Sequence, residues 1–167
     1  MNPLDRVLSE IQKKVELEGR SHSDCVFFQD LQVRVTHREA SSSFPDGNDL
    51  PTIDQVKGFK GVISNVRDDE NWRSAVLSYS GDSFFPSHCL SHQFIEAGLK
   101  TNLSVCFSEA DVYNDLEKIV ASSSKVLNEF CHIVGDRPGD ITINIGCAYA
   151  RYSDMLYVEE FTFEFGD

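Results

Sequence analysis

The chain has 167 residues, 41% hydrophobic and 11% aromatic, enough for one domain with a real core and too few for two ordinary ones. Its 27 acidic and 15 basic residues leave a formal net charge of −12, which argues against direct binding to nucleic acid or to an anionic membrane. Five cysteines without repeated spacing argue against a disulfide framework, and no stretch approaches the roughly 20 apolar residues of a membrane-spanning helix.

Asn2 and Pro3 are placed as N-cap and first residue of a helix whose apolar positions Leu4, Val7, Leu8, Ile11 and Val15 share one face. Glu10 and Lys14 pair four apart on it, and Gly19 ends it. Its charged residues interrupt any signal-peptide pattern, so with the reduced cysteines the expected compartment is the cytoplasm. Cys25–Thr36 changes to a period of two, with Phe27, Leu31, Val33 and Val35 on one side of a strand. Residues 40–51, rich in Ser, Asp, Gly, Asn and Pro, read as a surface loop.

Thr52 and Gln55 make a capping box for a second helix through Ile53, Val56, Phe59, Val62, Ile63 and Val66. Trp72–Tyr79 reads as a strand, with Ala75, Leu77 and Tyr79 on one face. Ser87–Ala97 reads as a short helix stopped by Gly98, followed by a strand in which Leu99, Leu103, Val105 and Phe107 share a face. A long amphipathic helix starts at a Ser108 cap, carries Leu116, Ile119, Val120, Leu127 and Phe130 in one stripe, and ends at Gly135. After a turn over Asp136–Asp140, Ile141, Ile143, Ile145, Cys147 and Tyr149 alternate as a strand, with Phe161, Phe163 and Phe165 on its hairpin partner. The fold expected over 1–167 is a single α+β domain. It has a mixed or antiparallel sheet of about five strands packed against helices, its long helix followed by a C-terminal β-hairpin.

The densest set of potential metal ligands is His88, Cys89 and His92, with Glu96 beyond. On a helix, positions 88, 92 and 96 project from one side, and imidazole with thiolate suits zinc. No second ligand pair stands out, so the expectation is a polar helix face, no bound metal and no cofactor. Cys131 and His132 are adjacent on a helix and point about 100° apart, which separates a thiol from its base. Lys57–Gly61 contains a G-x-x-G flanked by lysines, the clamp of certain RNA-binding modules; the net charge and the continuing apolar period favour close packing instead. Phosphate-loop, dinucleotide, nucleophile-elbow and zinc-protease motifs are missing.

Residues 1–108 hold 15 acids and 11 bases, a net of −4, whereas residues 109–167 hold 12 acids and 4 bases, a net of −8. Asp154, Glu159, Glu160, Glu164 and Asp167 sit at the acidic end, where a charged strand also resists edge-to-edge aggregation. The function this points to is a non-enzymatic, acidic intracellular inhibitor of anti-CRISPR, anti-restriction or immunity-protein type, a comparison by profile alone. Its partner would be a basic protein, a nucleic-acid-binding complex or a toxin, met through those five carboxylates. The alternative is a small enzyme or zinc protein using His88, Cys89 and His92.

Overall fold

The computed structural model describes residues 2–42, 58–79 and 88–155. Helix α1 (Pro3–Glu18) leads into strands β1 (Arg20–His22) and β2 (Cys25–Val35), a single helical turn α2 (His37–Ala40), and α3 (Phe59–Asp68). Strands β3 (Ser74–Ser78), β4 (Cys89–Ala97) and β5 (Lys100–Asp111) follow, then α4 (Leu116–Val134), β6 (Arg137–Arg151) and a 3₁₀ turn at Tyr152–Asp154. The six strands form one mixed sheet in the order β1-β2-β6-β5-β4-β3. Every pairing is antiparallel except β5 with β6, which α4 connects as a crossover. The α+β class holds, with six strands rather than five.

Local chemistry accounts for the helices. Asn2 accepts a hydrogen bond from the Leu4 amide at 3.0 Å with Pro3 at the first position, and Leu4, Leu8, Ile11 and Val15 are buried. Arg6, not Lys14, pairs with Glu10 at 3.1 Å; Lys14 instead lies 5.3 Å above the Phe28 ring. Gly135 ends α4 at a left-handed φ of 85°, its amide bonded to the Cys131 carbonyl. Leu116, Ile119, Leu127 and Phe130 of α4 pack onto β5 and β6. Phe130 is the hub of the core's aromatic cluster: it stacks on Phe94 at 3.9 Å and takes Phe59 and Trp72 edge-on. All four helices share one buried cluster with the sheet, so they lie on one face, and no described helix covers the other.

The sheet is creased along one transverse row. In β6, Ile141, Ile143 and Ile145 are buried, but beyond Gly146 burial passes to Ala148 and Ala150. In β5 it passes from Leu103, Val105 and Phe107 to Ala110, and in β2 from Val33 and Leu31 to Val26. The switch falls at Ser108–Glu109, Gly146 and Asp30, which the strand register places side by side. Asp30 adopts a left-handed φ of 55°, and a Cβ on Gly146 would lie 3.0 Å from the Ser108 carbonyl oxygen. A side chain there would crowd that oxygen, so a glycine suits the middle strand of the crease.

Several expectations change as a result. Cys147 and Tyr149 lie on the opposite face from the isoleucines, and so does Phe27 from Leu31, because alternation inverts at the crease. Leu99 is 83% exposed in the β4–β5 turn, where the left-handed Gly98 reverses the chain. Ser87–Ala97 is no helix; Cys89–Ala97 forms β4 between β3 and β5. Strand β5 runs on to Asp111, so Ser108 is no cap and α4 begins at Leu116. Pro138 and Gly139 already belong to β6, whose parallel pairing with β5 starts at Arg137. Helix α3, the second helix expected, follows an N-cap at Gly58, held left-handed at φ 86°, and Gly61 lies within it rather than in a phosphate clamp. The Thr52–Gln55 capping box, most of the 40–51 loop and the Phe161–Phe165 hairpin strand fall outside the described residues.

Candidate functional site

Two constellations carry chemistry. The first is interior. His92 on β4 is fully buried and its Nδ1 lies 2.8 Å from the Tyr79 hydroxyl, with the two rings edge to face at 5.6 Å. Cys89 Sγ lies 3.9 Å from the same nitrogen. Burial holds His92 down to about 4, so the imidazole is neutral, and burial pushes the Tyr79 hydroxyl up. A neutral ring with Nδ1 accepting from Tyr79 has already committed the lone pair that a nucleophilic thiol would need. A catalytic histidine uses one nitrogen toward the nucleophile and the other toward its orienting group. Here thiol and phenol converge on one nitrogen, an arrangement that ties the end of β3 to β4.

His88 does not join them. It sits ahead of β4 at a left-handed φ of 72°, and its Nε2 meets Glu109 Oε1 at 3.2 Å on the surface. Glu96 lies beside Arg73 at 3.5 Å. The shared helix face that would have gathered His88, His92 and Glu96 is replaced by a strand broken by a bulge between Cys89 and Ser91. Among the described residues no group of three or more His, Cys, Asp or Glu is arranged to hold a metal. Cys131 is buried and its thiol is pushed up to about 11 by that burial, which makes it inert as a nucleophile.

The second constellation closes the sheet beyond the crease. Asp111, at the end of β5, is buried and accepts through Oδ1 from the amides of Tyr113 (2.9 Å) and Asn114 (3.2 Å). Asn114 Nδ2 bridges Asp111 Oδ2 at 2.9 Å and Asp154 Oδ2 at 3.2 Å, while Asp115 accepts from the Asp111 amide at 2.9 Å. Glu16 of α1 accepts from the Tyr113 hydroxyl, and Gln12 donates to the Val112 carbonyl at 3.2 Å. Arg151 stands at the edge, 3.9 Å from Asp111. Asp111, Asp115 and Asp154 are thus held in fixed positions by one asparagine and a tight turn.

Of the five carboxylates singled out in the sequence, Asp154 belongs to this cluster; Glu159, Glu160, Glu164 and Asp167 lie outside the described residues. Sequence reasoning missed Asp111, Asn114 and Asp115, whose spacing of three and four residues marks an Asx-rich turn. It also missed Tyr79 as the partner of His92, a contact between strands that no local pattern encodes. No described helix is long and apolar enough to cross a membrane. No protein-family model matches the chain, and no curated protein matches it.

Proposed function

We propose that the chain is a non-enzymatic, acidic binding protein of the cytoplasm that occupies a basic surface on another protein, as inhibitors of nucleic-acid-binding complexes and toxins do. The observation that carries this is the placement of negative charge. Residues 109–167 bear a net charge of −8, and within them Asp111, Asp115 and Asp154 are gathered around Asn114 at one end of the sheet. Carboxylates already fixed by hydrogen bonds lose little freedom on meeting a cation, and their field speeds encounter with it. The zinc or enzyme alternative loses its support, since His88 is on the surface and Cys89 and His92 are in the core.

Cross-linking capture from cells that express the chain, followed by kinetics on each purified partner, tests the proposal. The expected partner is rich in Lys and Arg. Its association slows about tenfold as salt rises from about 50 to about 500 mM, over which the Debye length falls about threefold. Replacing Asp154, Glu159, Glu160, Glu164 and Asp167 with lysine slows it comparably. Neutral or acidic partners, or association indifferent to salt, refute the binding role.

A further inference from the structure

The crease turns an aromatic pair away from the core. Beyond it, Arg20, Phe27, Tyr149 and Asp111 form one row across β1, β2, β6 and β5. Phe27 and Tyr149 are half-buried, with ring centroids 6.2 Å apart, and His22 meets the edge of Phe27 at 6.1 Å. The row on the crease side is Gln29, Cys147 and Glu109, and the row on the other is His22, Cys25 and Arg151. Before the crease, the same face carries a polar hydrogen-bonded network across β2, β6 and β5. Gln32 donates to Asn144 at 2.8 Å, Asn144 to Ser104 at 3.2 Å, and Arg34 to Asp140 at 2.7 Å. Among the described residues, this helix-free face shows aromatic rings beyond the crease.

Those rings lie beside carboxylates. Asp111 and Asp115 are close enough to Tyr149, and Glu109 to Cys147, to raise each group, in both cases as the second cause after burial. The chain already places one guanidinium in this setting, since Arg151 interacts with the Tyr149 hydroxyl and stands 3.9 Å from Asp111. Aromatic faces attract cations, and a planar guanidinium can stack on a ring while its edge donates to a carboxylate. A second copy of this chain fits the face poorly, because it would set one acidic end against another.

We propose that the face beyond the crease, Phe27 and Tyr149 flanked by Glu109, Asp115 and Asp154, is the docking surface for an arginine side chain of a basic partner protein. This rests on the binding role above and adds a site and a chemistry to it. Arg20 borders Phe27 on the β1 side and Arg151 already faces Asp111, so the incoming guanidinium takes Glu109, Asp115 and Asp154.

The test uses the full chain and a synthetic peptide of Arg-Gly repeats, with Lys-Gly and Glu-Gly repeats for comparison. In NMR titrations the ring protons of Phe27 and Tyr149 shift with the arginine peptide, less with lysine and not with glutamate. Those of Trp72, packed on Phe130 on the helix side, stay in place. Phe27→Leu with Tyr149→Leu weakens the arginine peptide at least fivefold, and the wild-type ring shifts decide the matter if that variant fails to fold. Binding that lysine substitution of Glu109 and Asp154 weakens, but that leaves both rings unmoved, overturns the docking surface and leaves the acidic binding role intact. Absence of any peptide binding also overturns the surface; the binding role then stands or falls on the capture experiment.

Discussion

Lowering the pH should unfold this protein through His92. The imidazole titrates at about 4 in the fold because it is buried, against 6.5 for an ordinary histidine. Between those values the unfolded chain holds a proton that the native chain refuses, so stability rises with pH across the window. The contribution is intact above pH 6.5, erodes below it, and is fully lost once pH falls through about 4. That interval corresponds to about 3 kcal/mol, a large share of the 5–15 kcal/mol that holds a typical domain together. Tyr79, which faces His92, is held protonated by burial across this window. Acid acts on the rest of the chain as well, so the measurement must be differential. Urea unfolding at pH 7 and pH 4, for wild type and for His92→Gln, isolates the effect, because glutamine offers Tyr79 an acceptor and binds no proton. The wild type should lose about 3 kcal/mol more than the variant over that change. Equal losses, or an NMR titration of His92 centred near 6.5, would refute the reasoning.

Phe130→Ala should cost about 3–5 kcal/mol, since it removes the ring that Phe94, Phe59 and Trp72 all contact; a melting temperature within a degree of wild type would place the hub elsewhere. Gly61→Ala should stabilise by about 0.5–1 kcal/mol, because the position is inside α3 and, among the described residues, an added Cβ meets nothing within 4 Å. A drop in the urea midpoint would refute that reading of the position. Gly146→Ala should destabilise, its Cβ pressed to 3.0 Å from a backbone oxygen, and neutrality in the same assay would show that the crease can relax.

What was legible in the sequence was what neighbours in the chain decide. The Asn2–Pro3 start of α1, its apolar stripe and the Gly135 stop depend on contacts within one or two helical turns, and the structure has them. The capping box at Thr36 and Glu39 that opens α2 was equally local and was overlooked, because the strand pattern ran through Thr36. The misreading of β4 has a different cause. Positions 88, 92 and 96 recur every fourth residue, and four is near one helical turn and is also an even number, so helix and strand both place such residues on one side. Only pairing with β3 and β5 decides between them, and pairing is not written in the segment itself. The His92–Tyr79 contact was out of reach for the same reason.

The crease shows why a strand's inward face cannot be taken from its hydrophobic residues alone. In β6 the sequence Ile145-Gly146-Cys147-Ala148-Tyr149-Ala150 offers apolar residues on both parities, and the larger ones on one parity favour unbroken alternation. The structure buries the alanines instead. Alanine beneath the end of α1 lets helix and sheet approach closely there, while Val26 and Phe28 fill the space alongside. The glycine at the switch is the one trace this leaves in β6, and Asp30, directly across from it in β2, is the corresponding trace in the next strand. Asp30, with its left-handed backbone, and Gly146, brought opposite each other only by the fold, thus mark where the sheet changes the side that carries aromatic rings, and with it the chemistry that this face can offer a cationic partner.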